Sequence, residues 1–102
     1  MAIKSFADDT TADIYAATNS KAARKIPQDV WKAARRKMSI LNIANDTRDL
    51  SKVPGNFFES LEPDRPGFHS IRINDNYRLI FHFHKGDAYV VSVENYHGRK
   101  TS

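Results

Sequence analysis

Apolar and polar residues alternate along three short stretches between Phe68 and His97. A strand period of two sends alternate residues to opposite faces of a sheet. With Asn74, Asp75 and Asn76 in a three-residue turn, Ile73 falls opposite Tyr77, Arg72 opposite Arg78, Ile71 opposite Leu79 and His69 opposite Phe81. A two-residue turn would set Arg72 against Leu79. Because a slip of one residue exchanges the core and solvent sides of a strand, the three-residue register is predicted. Placing Lys85, Gly86 and Asp87 in the second turn likewise sets Phe83 opposite Tyr89, Phe81 opposite Val91, Leu79 opposite Val93 and Arg78 opposite Glu94. Gly86 supplies the positive φ such a loop wants. One face then carries Ile71, Ile73, Leu79, Phe81, Phe83, Val91 and Val93. The other carries Ser70, Arg72, Arg78, Ser92, Glu94 and Tyr96, interrupted by Ile80 and Val90. Two arginines, a glutamate and a tyrosine converge there, which makes that face the candidate site.

A different period governs the middle of the chain. Val30, Trp31, Ala34, Met38, Leu41 and Ala44 recur at spacings of three and four, the apolar stripe of a helix. Pro27 suits its first position and Asp29 its first turn. The stripe should cover the buried face of the sheet. Lys32, Arg35 and Arg36 lie off it, as a solvated side or as RNA contacts. Upstream, Ile3 to Phe6 reads as a first strand, Asp8 or Asp9 as an N-cap, Thr11 to Thr18 as a helix and Asn19-Ser20 as a break. Lys21 to Lys25 is a basic turn or linker. Residues 45–66 keep neither period and hold Pro54-Gly55-Asn56, Pro63 and Pro66-Gly67, all turn signals. Phe57, Phe58 and Leu61 are expected to pin this connection down. The prediction is an α+β fold over a single domain, 1–102, with two N-terminal helices packed on a mostly antiparallel, twisted sheet.

Composition narrows the chemistry. The chain has 102 residues and no cysteine, so disulfides, thiolate catalysis and cysteine-held zinc are out. No apolar run is long enough to span a bilayer and no signal-peptide pattern opens the sequence, so a cytoplasmic protein with no membrane partner is expected. Sixteen basic against twelve acidic residues favour a polyanionic partner. His82 and His84 alternate on one strand but lack a third ligand in suitable spacing, and no metal site and no cofactor is expected. His69 lies on the core side near the sheet margin, as a partly buried structural residue or a catalytic one. His97 closes the last strand among cations.

Cutting a phosphodiester without a metal needs a base for the ribose 2′-hydroxyl, an acid for the leaving 5′-oxygen and cations for the transition state. Histidine titrates near neutrality and suits the first two roles. Arginine's planar fork matches phosphate oxygens. Tyrosine stacks on a base or bonds the phosphate. His97, Tyr96, Arg72, Arg78 and His69 are the catalytic candidates, with Arg35, Arg36, Glu94, Asn95, Arg99 and Lys100 as RNA contacts. The competing reading is a structural ion pair of Arg78 with Glu94 on an ordinary strand surface.

Pro54-Gly55-Asn56, then Glu59-Ser60-Leu61, then the run from Gly67 through Ser70-Ile71-Arg72-Ile73-Asn74-Asp75-Asn76-Tyr77-Arg78-Leu79, then Val93-Glu94-Asn95-Tyr96-His97, resembles the HigB or "killer protein" branch of the RelE/ParE toxins. The likeness runs from about Leu50 to His97. It implies a RelE-like small domain, the toxin of a type II toxin–antitoxin pair. It also implies a metal-independent endoribonuclease that cuts mRNA on the ribosome and so blocks translation. Expected partners are a HigA-type helix-turn-helix antitoxin, the ribosome and mRNA, with operator DNA reached only through the antitoxin. The family commonly ends in Asp-Tyr-His. Tyr96 and His97 match, whereas Asn95 replaces the aspartate and cannot accept a proton. Arg78 matches the arginine that the superfamily sets against the scissile phosphate. Two other readings remain: a ParE-like topoisomerase-binding toxin without ribonuclease activity, and an inactive relative kept for antitoxin binding and autoregulation.

Overall fold

The computed structural model of the chain describes residues 1–95. Helix α1 spans Asp9–Tyr15, a 3-10 turn Ala23–Lys25, α2 Gln28–Ile43 and α3 Thr47–Ser51. Strands β1 (Glu59–Ser60), β2 (Phe68–Arg72), β3 (Tyr77–His84) and β4 (Asp87–Asn95) form an antiparallel sheet in chain order. The α+β prediction, helices before sheet, is what the structure has.

Local chemistry sets the helix ends. Asp8 caps α1 by accepting from the Thr11 amide at 2.8 Å, so α1 begins two residues before the expected Thr11. Its C-terminal limit is also earlier than predicted, with Ala17 left-handed at φ 59° just beyond it. Pro27 is the N-cap of α2 rather than its first residue. Val30, Trp31, Ala34, Met38, Leu41 and Ala44 are all buried, together with Ile71, Ile73, Leu79, Phe81, Val91 and Val93 from the sheet. The stripe of α2 therefore lies on the face it was predicted to cover. Trp31 escapes a polar penalty because its Nε1 donates to the Ile26 carbonyl at 2.9 Å.

The extended N-terminus is not a regular strand but runs parallel to β4 through isolated bridges, Ile3 with Ala88 and Phe6 with Val91. Lys4 and Ala7 donate to the carbonyls of Ala88 and Val91, while Ala88 and Val91 donate to those of Ala2 and Ser5. Ser5 Oγ takes the Val90 amide at 2.8 Å, and the buried Thr11 hydroxyl takes that of Val93 at 3.1 Å. Helix α1 is thus moored on the sheet by its first turn.

The first hairpin has the predicted register: His69, Ile71 and Arg72 pair with Phe81, Leu79 and Arg78. Asn74 Oδ1 accepts the amides of Asn76 and Tyr77, both at 2.8 Å, and this side-chain bonding shapes the turn. The second hairpin departs from expectation near its turn. Lys85 and Gly86 alone form the loop, at φ 48° and 83°, the double positive φ that matches strand twist. Phe83 accordingly meets Ala88 rather than Tyr89. The register shifts between Ile80 and His82, where Val90 at φ 46° takes up the extra residue as a bulge. Beyond it Leu79 pairs with Val93 and Arg78 with Glu94, as predicted.

Candidate functional site

The sheet face turned away from the core carries Phe68, Ser70 and Arg72 from β2, Arg78, Ile80 and His82 from β3, and Ser92 and Glu94 from β4 by strand alternation. Its centre is not solvated: Ser70 and Ile80 are fully buried and Ser92 nearly so. Arg65, in the loop before β2, supplies the cover. Its guanidinium stacks over Phe68 at 4.9 Å and forks onto the Glu94 carboxylate at 3.3 and 3.4 Å. Since Phe68 pairs with His82 and Glu94 with Arg78, a side chain joining them crosses β3 at the level of Ile80. The Glu94 carboxylate, which the competing reading gave to Arg78, is held by Arg65. Sequence reading missed Arg65 because it lies in the aperiodic connection.

Arg72 and Arg78 sit directly opposite one another on this face. Like charges at such positions repel. Arg78 Nε donates to Ser70 Oγ at 2.8 Å, its Nη2 donates to the Phe57 carbonyl, and Glu59 lies 3.9 Å away. Arg72 pairs with Asp75, and its guanidinium lies 5.4 Å from the centre of the Phe57 ring. Phe57 does not pin the loop as expected: it is 63 % exposed, and Phe58 packs inward instead.

Below Arg72 the loop is fastened to α2. Lys37 Nζ donates to Asn56 Oδ1 at 2.6 Å, Asn56 Nδ2 to the Leu50 carbonyl at 3.0 Å, and the Arg72 amide to the Asn56 carbonyl at 2.6 Å. Burial, followed by the positive fields of Arg36 and then Arg72, holds the Lys37 ammonium below its ordinary 10.5. Lys37, one position from the stripe, was not singled out by periodicity. Arg36 is exposed beside it, off the apolar stripe as expected. Arg35 is half-buried and enters none of these contacts. Asn95 is exposed and pairs with Tyr77. Tyr96, His97, Arg99 and Lys100 lie outside the described residues.

His69 is on the other face from the arginines. Its ring stacks on Phe58 at 5.3 Å and lies near Phe81 and Phe83, and its buried Nδ1 has no hydrogen-bond partner. Burial holds its pKa below the ordinary 6.5; His82 adds to the shift and Glu62 opposes it. The unfolded chain then binds this proton more readily than the folded one. Stability is full above pH 6.5 and is lost as the pH falls through 6.5 towards the lower folded value. Thermal melts at descending pH are expected to show that decline, and His69→Phe to flatten it. An equal slope in the variant would assign the decline to other groups.

The arrangement can seat an oxyanion between two permanent cations while a third guanidinium braces the strand that runs on to the closing tripeptide. Known proteins resemble this chain over most of its length. Residues 4–97 match the family model for the RelE-like toxin of type II toxin–antitoxin system HigB. Toxin HigB-1 of Vibrio cholerae is 44 % identical over 70 residues, covering 69 % of this chain and 74 % of the relative. An uncharacterized protein of Haemophilus influenzae is 34 % identical over 64 residues, 63 % of each chain. Endoribonuclease HigB of Proteus vulgaris is 46 % identical over 37 residues, 36 % of this chain and 40 % of the relative.

Proposed function

The chain belongs to the RelE-like toxins of HigB-type toxin–antitoxin systems, and on that premise we propose that it is an endoribonuclease cutting mRNA on the ribosome. A type II toxin has an antitoxin partner; here we take it to be a HigA-type helix-turn-helix protein that also carries the complex to operator DNA. The observation that carries the reading is the cross-strand pair Arg72 and Arg78 on one sheet face. Each guanidinium has a carboxylate beside it, Asp75 at Arg72 and Glu59 at Arg78, and a phosphodiester, an anion with several oxygens, would bridge the two in place of those partners.

In the proposed reaction the ribose 2′-oxygen gives its proton to a water molecule and attacks phosphorus. The bond from phosphorus to the 5′-oxygen breaks, leaving a 2′,3′-cyclic phosphate and a 5′-hydroxyl. Arg78 and Arg72 offset the charge that builds on the phosphoryl oxygens. His97 protonates the leaving oxygen, a role suited to an imidazole, and Tyr96 orients the nucleotide. Asn95 contributes a hydrogen bond but no proton transfer. Arg99 and Lys100 add attraction for the RNA backbone.

Brief induction followed by mapping of RNA 5′ ends tests this. New 5′-hydroxyl ends confined to translated messages, and absent when the antitoxin is co-expressed, are expected. Growth arrest with intact messages and broken DNA would point to a topoisomerase-binding relative instead.

A further inference from the structure

We propose that Phe57 is a stacking platform for an unstacked nucleobase next to the phosphate held by Arg72 and Arg78. This inference rests on the ribonuclease reading and adds to it a base-binding subsite. Three observations meet at this residue. The ring is 63 % exposed although the chain buries its other phenylalanines wholly or in part. The Arg72 guanidinium lies over it at 5.4 Å, and the residue stays largely exposed despite that contact. The backbone is left-handed at φ 45°, a conformation that a bulky aromatic residue adopts only when its surroundings enforce it.

The enforcement is visible. The Asn56 carbonyl accepts the Arg72 amide at 2.6 Å, and the Phe57 carbonyl accepts from the Arg78 guanidinium. These bonds fix the peptide units on both sides of the Phe57 Cα. The twist sends Phe58 inward, onto His69 at 5.3 Å, and Phe57 outward. A loop that merely needed to close could bury the larger apolar area and carry asparagine or glycine at the left-handed position. Holding an aromatic ring in water at that position costs free energy in conformation and in hydration, and the Arg72 guanidinium is the ring contact it has among the described residues.

The chemistry of the neighbours selects the occupant. A flat apolar surface backed by a cation and set beside two phosphate-binding guanidiniums fits a base whose own phosphate is a few ångströms away. Stacking of single-stranded bases on aromatic rings works in this way and tolerates any base identity. An apolar protein segment would gain nothing from the charged surroundings.

The test is cleavage of ribosome-bound message by the full chain, with Phe57→Ala, Phe57→Leu, Phe57→Trp and Arg78→Ala compared in kcat/KM. Phe57→Ala and Phe57→Leu are expected to lose roughly five- to hundredfold, mainly through KM, while Phe57→Trp keeps or improves on the original value. Phe57→Gly separates binding from folding, because relief of the positive φ should hold or raise Tm while cleavage falls. Cleavage by Phe57→Ala equal to the unaltered chain, with Arg78→Ala impaired, would overturn the platform and leave the ribonuclease reading standing. Equal values for leucine and tryptophan would also overturn it, since an apolar contact would then suffice. A variant altered only in antitoxin affinity would mark Phe57 as a protein contact. No cleavage by the unaltered chain would remove the ribonuclease reading, and this inference with it.

Discussion

Replacing Arg78 with alanine is expected to abolish growth arrest, with cleavage of ribosome-bound message falling about a hundred- to a thousandfold, the range for losing one preorganised charge-stabilising donor. The reason is geometric as well as electrostatic. Arg78 is fixed by Ser70 Oγ and by the Phe57 carbonyl, so in the proposed reaction its guanidinium would have no orientation to find. Arg78→Lys should restore little, because an ammonium cannot reach Ser70 and Phe57 while also facing a phosphate with a second edge. Removing the side chain also leaves a buried serine hydroxyl and a loop carbonyl to be satisfied, at about 1–3 kcal/mol. Melting and cleavage therefore have to be measured together. A variant that remains folded and fully toxic would remove Arg78 from the chemistry.

Asn56→Ala is expected to have the largest effect on stability, about 3 kcal/mol, or a fall in Tm on the order of 15 °C. Asn56 is fully buried and serves three groups: Lys37 Nζ through its side-chain oxygen, the Leu50 carbonyl through its amide, and the Arg72 amide through its backbone carbonyl. Alanine keeps the third but leaves an ammonium and a carbonyl buried without partners, and it is this residual charge that makes the change costly. Lys37→Met combined with Asn56→Leu removes both partners and should recover part of the loss. Equal melting of Asn56→Ala and the unaltered chain would show that water replaces the amide at no cost. Phe57, Arg72 and Arg78 all depend on this loop, so activity should fall with temperature well before global unfolding.

Several of these features were legible in the residues alone. The stripe of α2 and its C-cap is read directly because all six apolar members are buried in one core with the sheet. The first hairpin is read because Asn74-Asp75-Asn76 carries its own turn chemistry, and because any other register would bury Arg72. The second hairpin misled near its tip. A two-residue turn followed by a bulge at Val90 leaves the same parity at Arg78 and Glu94 as a three-residue turn without one, so periodicity cannot separate the two. Phe57 was misplaced for a related reason: apolar character favours burial, and only the left-handed backbone turns the ring outward. Arg65 and Lys37 were missed because their partners, Glu94 and Asn56, lie 29 and 19 residues away, beyond any local pattern. The tripeptide at 95–97 rests on family likeness for its role, which is why mutation of His97 belongs beside that of Arg78 in any assay.

The mooring of residues 2–7 along β4 has a consequence for how copies of this chain meet. The outward amides of Ala88, Val90, Val91 and Val93 all find acceptors within the chain, from the backbone, Ser5 or Thr11. The opposite margin is β1, two exposed polar residues long. Among the described residues, neither flank offers the run of idle peptide groups on which sheets zip together into filaments. Such a chain, when free of its antitoxin, is thereby guarded against sticking to itself edge to edge.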